Sequence, residues 1–509
     1  MTKTMSANLY TTFVLRCTDP KKVFIKTLDG RLISYGDAFE LAGRLANVLR
    51  DKTVLPGDRV AVQVEKSPEA LIFYLACLRA GAIYLPLNTA YTLAELEYFI
   101  GDAEPRLVVC APGSSSALQP LASKLANSIV VTLDAAGQGS LMDLAKAASS
   151  DFADISSSPD DIAAILYTSG TTGRSKGAML THRNLGSNAE TLASSWKFSE
   201  NDVLLHALPI FHTHGLFVAT NIALMSGASL LLMPKFDPSI IRDQLPHATV
   251  MMGVPTFYTR LLQEKWLSKE TVANLRLFVS GSAPLLADTH REWCARTGHA
   301  ILERYGMTET NMITSNPYEG ERVPGSVGVP LPGVEVLVVH PDAGNALATD
   351  EVGMVEVRGP NVFKGYWRMP EKTKAEFRGD GFFITGDLGK INARGYLSIV
   401  GRGKDLVITG GYNVYPKEVE TEIDEIDGVV ESAVIGVPHP DFGEGVTAIV
   451  VKGPGCSIDE RAIMKALDNR LAKFKLPKKV IFVDDLPRNA MGKVLKNTLR
   501  QRYEGIYSR

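Results

Sequence analysis

The 509-residue sequence predicts an α/β fold: a large N-terminal domain of several sheets with flanking helices, followed by a small C-terminal α+β domain. The chain is too long for one ordinary hydrophobic core, so two or more domains are expected. Short apolar segments alternate with helical patterns through most of the sequence, which favours α/β architecture. The pattern changes at the glycine-containing segment Gly401–Lys404, and we therefore predict domains at residues 1–402 and 403–509.

Individual elements follow from the spacing of apolar residues. In the N-terminal domain, a helix is predicted to begin at Pro255, because proline is favoured at the first helical position. Buried strands are predicted there at Ile162–Tyr167, Thr249–Val254, Leu275–Ser280 and Val334–Val339. In the C-terminal domain, the predicted order is a strand at Asp405–Thr409, a helix at Tyr415–Ile426, strands at Val429–Val437 and Ala448–Val451, a helix at Asp459–Phe474 and a strand at Val480–Val483.

Composition argues against several classes of protein. With 54 basic and 56 acidic residues the formal charge is −2, and no basic stripe indicates a nucleic-acid partner. The five cysteines are scattered without CxxC spacing, which is typical of reduced thiols and not of a zinc site or a disulfide framework. Residues Met1–Asp19 lack the apolar core of a signal peptide, and no apolar run has membrane-spanning length. We expect a cytoplasmic enzyme with no membrane partner.

The most specific segment is the loop Tyr167–Gly177, which follows a predicted strand and is rich in glycine and hydroxyl residues. Glycines allow consecutive N–H groups to point inward at a polyphosphate, and Lys176 adds charge. The loop is not a Walker A motif, because Lys176 is followed by Gly177. A flexible surface loop is the alternative.

This loop resembles the AMP-binding signature of the adenylate-forming superfamily of acyl-CoA synthetases, luciferases and peptide-synthetase adenylation domains. Further segments resemble that family's later motifs in the same order: His206–Gly215, Glu303–Glu309, Thr385–Asp387 with Gly401–Arg402, and Pro487–Lys493. The resemblance covers nearly the whole chain. It implies an ATP-dependent acid–thiol ligase that forms an acyl-adenylate, releases pyrophosphate, and passes the acyl group to coenzyme A with release of AMP.

The resemblance also implies roles for individual residues. It gives Glu309 the role of Mg²⁺ ligand, and Mg²⁺ commonly takes one carboxylate together with substrate phosphates and waters. Thr171 and Lys176 would hold the leaving pyrophosphate, and Asp387 with Arg402 would bind the ribose, although such a pair is often only structural. ATP or AMP binding is implied for Thr168, Ser169, Gly170, Thr171, Thr172, Gly173, Lys176, Ser282, Ala283, Glu303, Arg304, Tyr305, Gly306, Met307, Thr308, Asp387 and Arg402.

The C-terminal domain is expected to be mobile, as in the family. Lys493 would stabilise the anionic transition state of adenylation, and it is also a candidate target of reversible lysine acylation; a solvated lysine is the alternative. Lys404 falls at the family's hinge position, and Gly410 with Gly411 would line a tunnel for the pantetheine arm of coenzyme A. The lysines at positions 473, 475, 478 and 479 form either a coenzyme A phosphate site or a solvated face.

The acid is indicated by Arg260, which stands one turn after Thr256 on the predicted helix. Burying an arginine in an acyl pocket is costly unless an anion pairs with it. A second carboxylate on the substrate would supply that anion. The alternative is an ion pair with Glu264 at i,i+4 on the helix surface. The spacing of the residues does not decide between these two interpretations.

Three segments together resemble the malonyl-CoA synthetases: Val254–Arg260, Ser280–Ser282 and Glu303–Thr310. The resemblance implies that Arg260 and Ser282 hold the distal carboxylate of malonate or methylmalonate. It makes His212 a catalytic pocket wall beside the carboxylate; a core histidine is the alternative. Arg304 adds a further positive charge near the site, and packing against the nucleotide is the alternative for this residue.

Three other functions are alternatives to an acid–thiol ligase. A peptide-synthetase adenylation domain would need a carrier domain after Arg509, and a luciferase-type oxygenase shares the fold. A non-catalytic nucleotide-binding protein would not need both Glu309 and Lys493. Among ligases, the alternative is one for a short monocarboxylic or aryl acid.

Overall fold

The computed structural model describes residues 7–126, 128–168, 175–341, 343–410, 412–468, 470–489 and 492–507. Within these residues the strands are β1 (Val23–Thr27), β2 (Leu32–Ser34), β3 (Arg59–Gln63), β4 (Ile83–Pro86), β5 (Leu107–Cys110), β6 (Ile129–Thr132), β7 (Ile162–Thr168), β8 (Lys176–Thr181), β9 (Val203–His206), β10 (Ser229–Leu232), β11 (Val250–Gly253), β12 (Leu277–Ser280), β13 (Leu302–Met307), β14 (Asn311–Ser315), β15 (Val329–Pro330), β16 (Glu335–Val339), β17 (Gly353–Arg358), β18 (Gly365–Tyr366), β19 (Phe383–Ile391), β20 (Leu397–Arg402), β21 (Val407–Thr409), β22 (Tyr412–Val414), β23 (Val429–His439), β24 (Gly443–Lys452) and β25 (Lys479–Val483).

The helices of the same residues are α1 (Leu9–Arg16), α2 (Tyr35–Asp51), α3 (Pro68–Arg79), α4 (Leu93–Ala103), α5 (Ser115–Ala126), α6 (Ser140–Ala147), α7 (His182–Ser195), α8 (Asn221–Ser226), α9 (Pro238–Gln244), α10 (Pro255–Leu262), α11 (Ala287–Thr297), α12 (Pro370–Ala375), α13 (Pro416–Asp424), α14 (Glu460–Leu467) and α15 (Lys496–Tyr503). Short 3-10 turns occur at Pro112–Ser114, Leu245–His247 and Gly403–Asp405, and a π-helical segment at His214–Thr220.

Two large sheets form most of the chain before residue 367. Among the described strands, one sheet has the order β18-β8-β7-β4-β3-β5-β6 and the other the order β15-β14-β13-β12-β11-β9-β10-β1-β2. Residues Pro68–Leu78 of α3 are all buried, as expected of a helix enclosed between layers. One apolar core joins residues of both sheets with α2, α3, α7 and α8. The predicted α/β class and the strands predicted near β7, β11, β12 and β16 are confirmed.

Two smaller sheets follow. The described strands β16-β17-β19-β20 form one, and the 3-10 turn Gly403–Asp405 leads from it to the other, β22-β21-β24-β23, in which β25 pairs with β24. Helices α13 and α14 cover one face of this last sheet through Val419, Ile423 and Ile463, and α15 covers the opposite face through Leu499. The predicted α+β character of the C-terminal region is confirmed.

Three predicted elements clearly have the wrong extent. The strand predicted at Ala448–Val451 spans Gly443–Lys452 as β24. The helix predicted to reach Phe474 ends at Leu467, because Leu471 and Phe474 pack against the same core from turns instead of from a continued helix. The strand predicted from Asp405 begins at Val407, after the 3-10 turn. In the part of the chain that the structure describes, no helix combines the length and apolar character that crossing a bilayer requires.

Candidate active site

Asp387 and Arg402 are brought together by strand register. They lie directly opposite each other in the antiparallel pair β19–β20, and Arg402 Nε is 2.6 Å from Asp387 Oδ1. The hydroxyl of Tyr305 on β13 donates to Asp387 Oδ2 over 2.5 Å. Because Asp387 is only 3% exposed, these charge-assisted hydrogen bonds are strong and fix the carboxylate. The two predicted residues therefore form one unit with Tyr305.

Lys493 lies next to this unit. Its charged neighbours are Arg402, Asp387, Lys404 and Asp405. Partial removal from water, and then the positive charge of Arg402, lower the pKa of Lys493 to about 8, although Asp387 acts in the opposite direction. The side chain keeps contact with solvent, so it lies in a crowded but open position. The structure thus brings the C-terminal lysine to the predicted ribose-binding pair.

The predicted phosphate loop joins two antiparallel strands, in which Thr168 lies opposite Lys176. The predicted residues Ser169, Gly170, Thr171, Thr172 and Gly173 lie outside the described residues. Lys176 Nζ is 3.2 Å from Glu376 Oε1 and 4.0 Å from the ring centroid of Tyr366. The lysine predicted to hold phosphate therefore has an internal anionic partner in this structure.

Glu309 lies close to the same group of residues. It is 5% exposed, and the Tyr366 hydroxyl is 3.1 Å from its Oε1 and 2.6 Å from Oε2 of Glu376. Burial raises the pKa of Glu309. Among the residues that the structure describes, no cluster of three or more His, Cys, Asp or Glu side chains could hold a metal. The donor set therefore fits Mg²⁺ only as one carboxylate joined by substrate phosphates and waters.

Arg304 is a buried cation with unsatisfied donors. It is 4% exposed, and its Nε and Nη2 have no hydrogen-bond partner among the described residues. Burial lowers its pKa to about 9, so the guanidinium is still charged at neutral pH. A Cβ added at Gly281 would lie 2.3 Å from Arg304 Cζ, so the guanidinium packs directly on the main chain there. Leaving such donors unpaired is costly, which indicates a site for an anion.

Two histidines lie near this cation, and a serine contacts one of them. Ser282, which has a φ of 71°, places its Oγ 3.2 Å from His214 Nδ1. Burial, and then the charge of Arg304, lower the pKa of His212 to about 4 and the pKa of His214 well below its usual value. Both rings are therefore neutral at pH 7. The structure thus brings His212, predicted for the acid site, close to Arg304, and it connects Ser282 to this group through His214.

Arg260 occupies an exposed position on α10. The described side chains form no ion pair between Arg260 and Glu264, so the alternative predicted from i,i+4 spacing is not present. A Cβ added at Gly492 would lie 3.2 Å from Thr256 Oγ1. Since Thr256 and Arg260 are one turn apart, the helix face that they share is directed toward Gly492 and Lys493.

The other predicted residues lie around these groups. Glu303 is buried, and burial raises its pKa to about 8. Ala283 follows β12, and Gly306, Met307 and Thr308 lie at the end of β13; all four are partly exposed. Lys404 is exposed in its 3-10 turn, and Gly410 has a φ of 57°. Gly411 lies outside the described residues.

Sequence reasoning missed Glu376, Tyr366 and His214 as members of the site. Glu376 reaches Lys176 across 200 residues of chain and belongs to none of the recognised motifs. His214 was present in the second motif, and its spacing of two residues from His212 was the signal that could have identified it.

The comparisons with known proteins agree with this geometry. The model of the AMP-binding enzyme family matches residues 16–367, and that of the AMP-binding enzyme C-terminal domain matches residues 418–493. The chain is 36% identical over 481 residues to feruloyl-CoA synthase of Amycolatopsis sp, covering 93% of this chain and 94% of that protein. It is 36% identical over 484 residues to the mitochondrial malonate–CoA ligase ACSF3 of Mus musculus, covering 88% and 82%.

Solved structures of related enzymes are also similar to this chain. ATP-bound MatB from Rhodopseudomonas palustris is 63% identical, with 99% of this chain and 100% of that chain covered and a TM-score of 0.98. For apo MatB from the same organism, with the same identity and coverage, the TM-score is 0.86. Family models that match well over half of the sequence, and relatives aligned almost end to end, lead to one conclusion: the chain belongs to the family of AMP-binding enzymes.

Proposed function

We propose that the chain is an ATP-dependent malonate–CoA ligase. It adenylates malonate, with methylmalonate as a second substrate, releases pyrophosphate, and transfers the malonyl group to coenzyme A with release of AMP. The observation that carries the choice of acid is the buried guanidinium of Arg304, which lies near His212 and His214 and has two donors without a partner among the described residues. The malonate–CoA ligases among its relatives, from mouse and Arabidopsis thaliana, support the same choice.

A second carboxylate is the ligand that such a cation requires. The guanidinium offers a planar fork that matches a carboxylate in two parallel hydrogen bonds. A monocarboxylic acid would place methyl or aryl carbon against the unpaired donors, and would leave their desolvation uncompensated. Arg260, on the face of α10 directed toward Gly492 and Lys493, supplies a second positive charge to the same acid. Ser282 donates a neutral hydrogen bond.

Adenylation then depends on positioning and on charge neutralisation. The free carboxylate of malonate attacks the α-phosphate in line with the leaving pyrophosphate. Glu309 would hold Mg²⁺, which neutralises phosphate charge when bound. Lys176 and Thr171 hold the pyrophosphate, Asp387 and Arg402 hold the ribose, and Lys493 places its ammonium group beside the carboxylate and the α-phosphate. The remaining nucleotide contacts come from the segment around Ser282, from Glu303 and from residues 305–308.

The position of Lys493 beside Asp387 and Arg402 is the arrangement that the first half-reaction needs. The higher TM-score to ATP-bound than to apo MatB agrees with it. For the second half-reaction, residues 403–509 rotate about Lys404, so that Gly410 and Gly411 guide the thiol of coenzyme A to the adenylate. Acylation of Lys493 would remove its charge and stop the first step only.

The experiment compares two acids in wild-type protein and the Arg260→Ala variant. Truncating one partner of a buried charge pair costs about 2–5 kcal/mol, and Arg260 is exposed before the acid binds, so we expect the lower end. Malonate kcat/KM should fall at least about tenfold, at 1.4 kcal/mol per decade. Ser282→Ala should cost less, because a neutral hydrogen bond is weaker.

Butyrate is the internal control, since it has no second charge to lose. Its kcat/KM should be unchanged or improved by Arg260→Ala. If malonate turnover is unchanged as well, Arg260 has no part in the acid site. If both acids lose activity equally, the variant has damaged the enzyme as a whole, and the diacid assignment loses this support.

A further inference from the structure

The segment that carries Lys493 is held by a set of hydrogen bonds internal to the C-terminal part of the chain. Asn489 N–H donates to the carbonyl of Lys493 over 3.0 Å, and Lys493 N–H donates to Asn489 Oδ1 over 3.0 Å. Arg488 and Val494 form an isolated antiparallel bridge. Gly492, with a φ of 74°, adopts a left-handed conformation at the turn before Lys493, which favours glycine.

Arg488 links this turn to the neighbouring sheet. Its Nη1 donates to the carbonyl of Gly492 over 2.6 Å, and its Nη2 forms an ion pair with Glu431 Oε2. Glu431 lies on β23, where the register with β24 shifts between Val429 and Glu431. Such bulges change the direction in which a side chain points. The guanidinium therefore connects one strand of the sheet to the main chain directly before Lys493.

We propose that Glu431 and Arg488 are positioning residues for Lys493 in adenylation, and this rests on the proposed role of Lys493. Glu431 fixes the guanidinium, and the guanidinium fixes the carbonyl of Gly492, so the Lys493 backbone has one geometry. Arginine suits this role, because its planar fork holds two acceptors in a fixed geometry, whereas a lysine ammonium is a point charge on a flexible stem.

The location of these contacts explains why they are needed. Every member of the set belongs to the part of the chain after residue 403. The atoms nearest to a Cβ added at Gly492 belong to Thr256, on helix α10 of the N-terminal part of the chain. When residues 403–509 rotate away for thioester formation, that neighbour is lost. Because these contacts lie within one domain, Gly492 and Lys493 keep them through the rotation and return with them to the adenylation site.

The test separates the two half-reactions in Glu431→Gln and Arg488→Lys. Adenylation is measured as malonate-dependent exchange of labelled pyrophosphate into ATP, and thioester formation is measured from supplied malonyl-adenylate and coenzyme A. Exchange should fall about tenfold or more, since a misplacement of about 1 Å in a positioned group can cost about a hundredfold. Thioester formation should be unchanged.

Glu425→Gln is the matched control, because Glu425 forms an exposed ion pair with Arg470 in the same domain, 3.4 Å apart. It should change neither half-reaction. If Glu431→Gln and Arg488→Lys leave exchange intact, or lower both half-reactions alike, the two residues do not position Lys493.

Lys493→Ala is measured in parallel to distinguish failure of this inference from failure of the proposed function. If Lys493→Ala retains exchange, the proposed role of Lys493 is wrong. If Lys493→Ala loses exchange while Glu431→Gln and Arg488→Lys retain it, the role of Lys493 stands and the positioning pair is wrong.

Discussion

Two cations of the candidate site differ in whether a described protein group pairs with their positive charge. Lys176 has an internal partner, Glu376, at 3.2 Å and lies over the ring of Tyr366. Arg304 is buried at 4% exposure, and two of its nitrogen atoms have no partner among the described residues. Both residues belong to segments that resemble family motifs, yet only one of them is electrostatically satisfied before substrate binds.

The difference indicates two ways of using a positive charge. A phosphate that binds Lys176 competes with Glu376, so part of its interaction energy is offset by the weakened ion pair. An anion that binds the two unpaired nitrogen atoms of Arg304 displaces no group among the described residues, and it relieves the cost of unpaired buried donors. We infer that the region around Arg304 selects the acid, whereas the region around Lys176 exchanges its anions easily, as repeated release of pyrophosphate requires.

The largest expected effect comes from Arg304→Met, which removes the unpaired charge at similar volume. Malonate kcat/KM should fall at least about thirtyfold, from about 2 kcal/mol at 1.4 kcal/mol per decade. The free energy of unfolding without ligand should be unchanged or higher, because the lost donors had no partner. Steady-state kinetics check the expected fall in kcat/KM, and denaturant unfolding checks the expected free energy of unfolding. A loss of stability, or equal losses for malonate and butyrate, would contradict the contrast between the two cations.

A smaller effect is expected in the pH dependence of adenylation, and it arises from the third cation, Lys493. In the proposed mechanism its ammonium form is the active one, and partial removal from water together with Arg402 lowers its pKa to about 8. The kcat/KM for pyrophosphate exchange, which reports the free enzyme, should therefore be complete below pH 8 and fall as pH rises through about 8. Lys493→Arg, which stays charged, should remove this decrease even if its rate is lower. A profile that stays flat to pH 10 would mean that Lys493 is not the titrating group.

The smallest effect is expected from Glu376→Gln, which removes the negative charge beside Lys176 but keeps a hydrogen-bonding group near Tyr366. A partly exposed ion pair contributes about 0.2–1 kcal/mol, so KM for ATP should fall by up to about fivefold at 1.4 kcal/mol per decade. Glu371→Gln, on the same helix α12, is the control. A higher KM for ATP would show that Glu376 orients Lys176 for phosphate, and that the internal partner does not compete.

The sequence predicted those parts of the fold and site that depend on local pattern. The strands around β7, β11, β12 and β16 follow from apolar runs, and the pairing of Asp387 with Arg402 follows from two recognisable segments. The contact of Lys176 with Glu376 joins residues 200 positions apart, and no local pattern encodes it. The C-terminal limit of α14 was also missed, since Leu471 keeps the helical spacing but packs from a turn.

The central claim is that the unpaired guanidinium of Arg304 makes this AMP-binding enzyme a ligase for a short diacid. It is tested most directly by ATP- and CoA-dependent AMP formation by the wild-type protein with acetate, butyrate, malonate, methylmalonate and succinate. The account predicts the highest kcat/KM for malonate, activity with methylmalonate, and much lower values for acetate and butyrate, which lack a second carboxylate. Butyrate or acetate turnover equal to or above that of malonate would contradict it.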